Sequence, residues 1–284
     1  MEKILWPKGY RSALMLTFDV DGKSIWYNMS SDLKNSDKIL KAISIGAYGP
    51  KRGVGYILEV LDKYQVKGTF YIPGQVAKAN PDMVKKIDSL GHEIGNHGYD
   101  HERFVEKTEA EQIEIIERAQ DTFYNIIGRK PSGFRTPSGD WANNTPEILI
   151  REGFKYSSSM RGDDKPYYTK INGKTTDLIE IPSKWEMDDY VGMAYSMYPA
   201  EPAGQDRISS YKNMQDNYLR ELKGYNRFGL CMVPLMHPQV SGSPGRIMIL
   251  EEILKTAKEK GDIWIATGKE ISDWWRKTYP MEVD

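Results

Sequence analysis

Short apolar runs alternate with stretches of helical periodicity along most of the 284-residue chain, and this alternation limits the folds that are open to it. The first apolar run, 13–18, ends abruptly at the polar sequence Asp19-Val20-Asp21-Gly22. Strands that alternate with helices favour a mostly parallel sheet, either open or closed into a barrel. We predict further strands directly before His97 and at 68–73, 132–135, 154–158, 178–182, 229–236 and 262–267.

Boundary signals place helices between these strands. Proline takes the first helical position after Asn80, and Thr108-Glu109-Ala110-Glu111 has the pattern of a capping box. Residues 23–52 form a long segment, with a short helical piece near 37–44, whose aromatic residues favour an ordered wall. Because no repeat or linker interrupts the pattern, we expect a single catalytic domain over residues 1–284. The predicted helices cover 54–64, 81–90, 109–127, 145–153, 211–223, 243–260 and 269–277.

The composition argues against several classes of function. A formal charge of −1 provides no basic surface for nucleic acid, and no apolar run approaches the roughly 20 residues that span a bilayer. The first residues lack the apolar run and cleavage site of a signal peptide, and the single cysteine, Cys231, fits a reducing compartment. We therefore expect a cytoplasmic protein without nucleic-acid or membrane partners.

Ionisable side chains follow the predicted strands at the points where these end. The chain has only four histidines, and three of them lie in the short stretch 91–101. In (β/α) barrels the active site lies at the carboxyl ends of the strands, so these side chains are expected to meet in one cleft. The strand-end residues are Asp19, Asp21, His97, His101, Arg135, Asp188, Asp189 and His237.

Two imidazoles and one carboxylate, from His97, His101 and Asp21, would make a metal site that leaves one coordination position open. Zn²⁺ is the natural candidate because it polarises carbonyl groups and lowers the pKa of water, with Co²⁺, Ni²⁺ and Mn²⁺ as alternatives. The same ligand types also hold non-haem iron for oxygen chemistry. The three residues alone therefore do not determine the reaction.

Two further groups favour hydrolysis. Asp19 lies two residues from Asp21 and could accept a proton from water. His237, paired with a carboxylate such as Asp189, could stay protonated and donate to a leaving nitrogen. A metal, a base and an acid together indicate a hydrolase.

Several of these residues have simpler interpretations. Asp19 and Asp21 could cap a turn, and His92 is expected to make a structural hydrogen bond. An extended strand would hold Cys231 about 20 Å from His237, too far for a cysteine–histidine nucleophile. The apolar neighbours of Cys231 indicate instead a core residue.

Aromatic residues could contact substrate or serve packing. Tyr48, Trp141 and Trp185 are the candidates for substrate contact, together with Trp26. The pair Trp274-Trp275 is expected either to pack within the chain or to form a homo-oligomer contact.

Four segments resemble, in order, the motifs of the polysaccharide deacetylase family (NodB homology, carbohydrate esterase family four). They are Thr17-Phe18-Asp19-Val20-Asp21, His97-Gly98-Tyr99-Asp100-His101, Arg135-Thr136-Pro137-Ser138-Gly139 and Leu235-Met236-His237-Pro238. The resemblance spans roughly residues 10–270. In two places the chain departs from the motifs: Ser138 stands where an aromatic is usual, and the usual Asp near Trp is spread over Trp185 and Asp188-Asp189.

The resemblance implies a distorted (β/α) barrel with fewer than eight complete units. It also implies Asp19 as the base, Arg135 as the residue that orients it, His237 as the acid, and Asp21, His97 and His101 as metal ligands. The longer intervening segments are similar to the branch that holds peptidoglycan deacetylase-like, allantoinase-like and cyclic-imide hydrolase-like proteins.

Three functions remain open at this point. The first is an N-deacetylase that acts on an acetylated amino sugar or glycan. The second is a hydrolase of a small cyclic amide, either an imide or a ureide. The expected cytoplasmic location favours this second function. The third, a carbohydrate-binding barrel without catalysis, fits poorly because every catalytic position is intact.

Overall fold

Eight strands form the main sheet of the protein. The computed structural model describes residues 3–29, 39–138, 140–194, 196–197, 200–201 and 209–281. In chain order the strands are β1 Ser12–Leu14, β2 Thr17–Asp19, β3 Thr69–Ile72, β4 Glu93–Asn96, β5 Gly133–Phe134, β6 Tyr156–Ser157, β7 Tyr167–Ile171, β8 Lys174–Glu180, β9 Ser196–Met197, β10 Ala200–Glu201, β11 Cys231–Met232, β12 Leu235–Met236 and β13 Ile263–Ile265.

Helices connect most of these strands. They are α1 Ser24–Met29, α2 Leu40–Tyr48, α3 Val54–Lys63, α4 Gly74–Ala79, α5 Pro81–Ser89, α6 Glu109–Ile127, α7 Thr145–Arg151, α8 Asp189–Met193, α9 Tyr211–Phe228, α10 Ile247–Lys260 and α11 Gly268–Thr278. A π-helical turn, Gly49–Gly53, leads into α3, and short 3₁₀ turns lie at Phe104–Glu106 and Trp185–Met187.

The order of strands in the main sheet is β12-β2-β3-β4-β5-β6-β8-β7. Every neighbouring pair is parallel except β7 and β8, which form an antiparallel hairpin. Beyond β8, the backbone of Asp188 pairs with Leu235 of β12, so the two sides of the sheet meet. The result is a distorted, mostly parallel (β/α) barrel, which confirms the predicted fold class.

The first strand predicted from sequence is divided, because its neighbours change halfway along it. Its first half, β1, pairs with β11 and β13, whereas its second half, β2, pairs with β12 and β3. Both halves are fully buried, as expected for barrel strands that are covered by helices outside and by side chains of other strands inside. Asp19 ends β2 and is thereby fixed at the carboxyl edge of the sheet.

The predicted helices occur, with shifted ends. The capping box at Thr108 and Glu111 is present at the start of α6, and α9 runs on to Phe228, where Gly229 ends it in the left-handed conformation. The short helices α4 and α8 are not evident from the sequence. Of the predicted helical piece near 37–44, residues 37 and 38 lie outside the described part, and α2 begins at Leu40.

Tryptophans join the start of the chain to its last helix. The ring of Trp6 lies 6.2 Å from that of Trp275, and the Trp274 indole N–H donates to the carbonyl of Leu5 at 2.9 Å. Trp274 and Trp275 therefore pack within the chain, and the homo-oligomer contact stays a prediction. Among the described residues, no helix combines the length and the apolar character needed to span a bilayer.

Candidate active site

Three buried side chains meet at the carboxyl edge of the barrel. The Nε2 atoms of His97 and His101 lie 3.5 and 3.6 Å from Oδ1 of Asp21. One ligand-type atom from each residue lies within 4.8 Å of the others. The structure thus brings together the three residues predicted as metal ligands from segments that are more than 70 positions apart in sequence.

Local backbone geometry aims the two imidazoles. His97 directly follows β4, Gly98 and His101 both have positive φ angles (69° and 58°), and the loop turns back between them. The Asn96 side-chain oxygen accepts the Gly98 N–H at 2.9 Å. From α1, the Asn28 amide donates to the carbonyl of His101 at 2.8 Å. The segment after Asp21 therefore holds the loop that carries the second imidazole.

Hydrogen bonds indicate how the imidazoles are protonated. Nδ1 of His97 lies 2.7 Å from the carbonyl of Arg135, and since a carbonyl only accepts, this nitrogen carries the proton and Nε2 presents a lone pair. Burial lowers the pKa of His101 to about 4, so this imidazole is also neutral at pH 7. Burial alone would raise the pKa of Asp21, but the nearby His101, His237 and His97 outweigh it and lower the pKa.

The three groups fit a divalent cation. Oδ1 of Asp21 is buried and has no hydrogen-bond partner among the described residues, although buried polar atoms are normally bonded. A lone pair on the imidazole of His97 faces this oxygen, and such groups repel one another unless a positive charge lies between them. Two imidazoles and one carboxylate are a donor set of the kind that binds zinc and related ions.

Arg135 lies against Asp19, the second carboxylate of the first motif. Its Nη1 donates to Oδ1 of Asp19 at 2.8 Å and to the hydroxyl of Thr17 at 2.9 Å. The rest of the guanidinium is held by Ser158 and lies over the ring of Tyr71 at 4.3 Å. Because the guanidinium is buried and bonded on several sides, it fixes the orientation of the Asp19 carboxylate.

His237 is hydrogen-bonded to Asp189, whereas Oδ1 of Asp188 lies 3.9 Å from its Nδ1. Its Nδ1 lies 2.6 Å from Oδ1 of Asp189, and Oδ2 of the same carboxylate accepts from the backbone N–H groups of His237 and Ser241. Asp188 instead caps α8 by accepting the N–H of Tyr190. Burial alone would lower the pKa of His237, but Asp189 and Asp21 outweigh it and raise the pKa to about 10. The imidazole is therefore protonated at neutral pH.

Residues after His237 support the site in a way that the sequence did not reveal. The amide of Gln239 donates to Oδ2 of Asp21 at 3.1 Å. The carbonyl of Pro238 packs between Gly53 and Gly242 so closely that a Cβ at either glycine would lie 2.0 or 2.4 Å from its oxygen. The loop that carries His237 is thus positioned by backbone packing. Only the position of Gln239 two residues after His237 could have drawn attention to it.

A cavity of about 570 Å³ opens above these groups, within the range of small-molecule sites. Trp185 lines it, whereas the cavity lining includes neither Trp141 nor Tyr48. Trp141 packs against the apolar cluster around Phe134, and the Tyr48 hydroxyl lies 3.3 Å from the carbonyl of Gly242. Direct contact of Trp141 and Tyr48 with substrate thus stays a prediction without support from this placement. Lining residues not singled out from sequence include Ile25, Asn28, Arg161, Tyr190 and Val191.

The remaining sequence candidates lie outside the cavity. His92 accepts the Gly68 N–H at Nδ1 and packs edge-on against Phe70, in agreement with the structural hydrogen bond expected for it. Cys231 is buried in the core, as expected. Trp26 is buried in a small apolar cluster under α2, which indicates packing.

The barrel and the polar groups at its carboxyl edge place the protein among (β/α)-barrel enzymes, whose active sites lie at that edge. A model of the polysaccharide deacetylase family matches residues 47–157. Over its whole length the chain is 30% identical to a protein from Mycobacterium smegmatis that is assigned to the polysaccharide deacetylases, with a TM-score of 0.91 and 96% of that chain covered. The chain belongs to the polysaccharide deacetylase family and is a hydrolase of carbon–nitrogen bonds other than peptide bonds.

One curated relative and one further solved structure are also similar to the chain. A peptidoglycan deacetylase from Helicobacter pylori is 27% identical over 291 residues, which cover 93% of this chain and 96% of the relative. The structure of the allantoinase PuuE superposes with a TM-score of 0.82 at 21% identity and covers 98% of this chain and 94% of its own, a similarity of fold alone. The resemblance read from the motifs is thereby confirmed.

Proposed function

We propose that the protein is a metal-dependent N-deacetylase that acts on an acetylated amino sugar or glycan, as a single catalytic domain. One observation carries the metal dependence: a buried oxygen of Asp21, which has no hydrogen-bond partner among the described residues, faces the Nε2 atoms of His97 and His101. The name of the Helicobacter pylori relative supports the choice of a glycan amide as the substrate. The cytoplasmic location stays a prediction.

Asp21, His97 and His101 would hold the cation, with Zn²⁺ as the first choice and Co²⁺, Ni²⁺ or Mn²⁺ as alternatives. When bound, the ion would supply Lewis-acid polarisation of the amide carbonyl and would lower the pKa of water. The amide of Gln239 holds the outer oxygen of Asp21, and the carbonyl of Arg135 fixes the tautomer of His97. Such supporting hydrogen bonds orient metal ligands in other proteins.

The other residues of the site move protons. Asp19 would accept a proton from the attacking water, and Arg135 keeps the carboxylate aimed into the cavity. As the carbon–nitrogen bond breaks, His237 would donate a proton to the leaving nitrogen from Nε2, because Nδ1 is bonded to Asp189. The products are a carboxylate and a free amine.

Three substitutions and one control test these roles. We expect His101→Ala to lose bound metal, measured by elemental analysis of the purified protein. Asp19→Asn and His237→Ala should keep the metal and lose roughly 10²- to 10⁴-fold in turnover, as is usual for a group that transfers a proton. His92→Gln is the matched control, since His92 lies outside the cavity, and it should keep both metal and turnover. Full activity after chelation and dialysis would refute the metal dependence.

A cyclic amide hydrolase is the second candidate. The cavity of about 570 Å³ has room for a small ring, and the same base, acid and ligands would open a ring amide. Activity on small cyclic imides with none on N-acetylglucosamine oligomers would replace the deacetylase proposal with this one.

A further inference from the structure

Arg161 is a cation of the cavity wall that no acidic partner among the described residues neutralises. It follows β6, lines the cavity beside Ser159 and Trp185, and is half-buried. In the described part of the chain, no carboxylate oxygen lies within 4 Å of its guanidinium nitrogens. A charge in this position is costly to bury unless something pairs with it.

The other cations of the cavity all have such partners. Arg135 is bonded to Asp19, and His237 to Asp189, in the interior of the site. At the rim, Arg103 pairs with Glu106 at 3.1 Å. Arg161 therefore differs from each of the other positive groups that line the cavity.

The guanidinium of Arg161 is nevertheless held firmly. Its Nη1 donates to the carbonyl of Ser159 at 3.0 Å and to the hydroxyl of Ser183 at 2.5 Å. Its Cζ lies over the ring of Trp185, 4.4 Å from the ring centroid. These contacts restrict the side chain to one orientation, as a recognition site requires.

Part of the guanidinium still lacks acceptors. Nε is buried and has no hydrogen-bond partner among the described residues, and Nη2 has none there either. Burial, together with the charge of Arg135, lowers the pKa of Arg161 from its ordinary value, although arginine remains charged at neutral pH.

Nearby acids do not take the place of a partner. Asp188, Asp19 and Glu180 attract Arg161 through space, but each is bonded elsewhere. Asp188 accepts the N–H of Tyr190, and Asp19 accepts from Arg135. Glu180 accepts two backbone N–H groups, those of Ser159 and Met160, at Oε1. Its buried Oε2 has no hydrogen-bond partner among the described residues, but it lies more than 4 Å from the guanidinium nitrogens of Arg161.

We propose that Arg161, stacked on Trp185, binds a carboxylate of the substrate and makes the enzyme selective for acidic amides. A guanidinium matches a carboxylate in both charge and hydrogen-bond geometry. The proposal rests on the proposed function in one respect: it assigns the bound carboxylate to the molecule whose amide is hydrolysed. It thereby names an acidic amide, such as an acetylated amino sugar that carries a carboxylate, as the substrate class.

The test compares N-acetylglucosamine with N-acetylmuramic acid, the same sugar with a carboxylate-bearing ether. For the wild-type holoenzyme we expect kcat/KM to be higher for the acidic sugar by about tenfold or more, the range of a charge-assisted hydrogen bond. Arg161→Met removes the charge and the guanidinium that lies over Trp185 but keeps an unbranched apolar side chain, so the ratio of the two kcat/KM values should fall to about one. Arg161→Lys should give an intermediate ratio.

Arg151→Met is the matched control. It makes the same change of atoms at an exposed arginine that ends α7 and pairs with Glu109, and it should leave both activity and ratio unchanged. The proposal is overturned if the wild type does not prefer the acidic sugar. It is equally overturned if Arg161→Met lowers kcat/KM for both sugars by the same factor, since that result indicates a purely structural role.

A binding measurement separates this proposal from the deacetylase proposal. Calorimetric titration of the Asp19→Asn holoenzyme, with and without Arg161→Met, gives the affinity for each sugar in the absence of turnover. If neither sugar is hydrolysed by the wild type, the deacetylase proposal fails. The comparison is then repeated with dihydrouracil and dihydroorotate, two rings that differ by one carboxylate. Loss of the preference for the acidic ring in Arg161→Met supports the role of Arg161, and an unchanged preference refutes it.

Discussion

Replacing Gly53 with alanine tests how the loop that carries His237 is held. Gly53 has helical angles (φ −58°, ψ −43°), so its backbone accepts any residue. A Cβ at this position, however, would lie 2.0 Å from the carbonyl oxygen of Pro238. Ordinary van der Waals contact of a Cβ begins near 3.4 Å, so the Cβ and the carbonyl oxygen of Pro238 must move apart by about 1.4 Å. Pro238 cannot yield easily, since its oxygen also packs against Gly242.

The expected magnitude follows from two opposing contributions. Alanine is favoured over glycine in a helix by about 1 kcal/mol, whereas overpacking of a rigid contact costs roughly 1–3 kcal/mol. Because the contact here is with backbone atoms, we place the cost at the upper end. Gly53→Ala should then lower the free energy of unfolding by about 2 kcal/mol. A shift of about 1 Å at His237 should also reduce turnover by up to roughly 100-fold.

Gly55→Ala is the matched control, two positions further along. It lies in α3 and is exposed, and a Cβ at this position would meet no atom of the described residues within 4 Å. Alanine should therefore raise stability by roughly 0.5–1 kcal/mol. Urea unfolding followed by tryptophan fluorescence measures both variants. If Gly53→Ala is as stable and as active as Gly55→Ala, the backbone of Pro238 does not depend on this contact.

Three further predictions concern groups outside the cavity. Burial lowers the pKa of His92 to about 4, so the protein should lose up to about 3 kcal/mol of stability as the pH falls from 6.5 towards 4. His92→Gln should flatten that part of the stability–pH curve, and an unchanged slope would contradict the assignment. Burial raises the pKa of Cys231, so a thiol reagent should label it only in denaturant, whereas rapid labelling of the native protein would show access to the core. Thr108→Ala removes a capping-box hydroxyl and should lower the free energy of unfolding by about 1 kcal/mol; a change below about 0.3 kcal/mol would show that α6 does not depend on it.

The positions of the polar strand-end residues were predictable because they depend on local signals. An apolar run that stops at Asp19, and scarce histidines after another strand, identify the carboxyl edge of a parallel sheet. The distinction between Asp188 and Asp189 was not predictable. It arises because the backbone of Asp188 pairs with Leu235 across the barrel, which turns the adjacent side chain towards His237.

Contacts between distant segments account for what the sequence did not reveal. Gln239 reaches Asp21 across 218 positions, and Arg161 meets Trp185 only after the chain has made the β7–β8 hairpin. The aromatics show the same limit, since nothing local indicates that Trp185 faces the cavity while Trp141 faces the core. Roles assigned to the site residues stay predictions until the variants are measured.

The cavity is lined both by residues at the ends of buried strands and by residues of the segments that connect them. Asp19 ends a buried strand of the sheet, and His97 and His237 directly follow such strands, whereas Ile25 and Trp185 come from connecting segments. Connecting segments tolerate substitution and insertion far better than buried strands. Selection for a new substrate can therefore act on the connections alone and leave the hydrolytic groups in place. Libraries confined to Trp185 and Val191, two exposed residues of these connections that line the cavity, should shift specificity with little loss of stability.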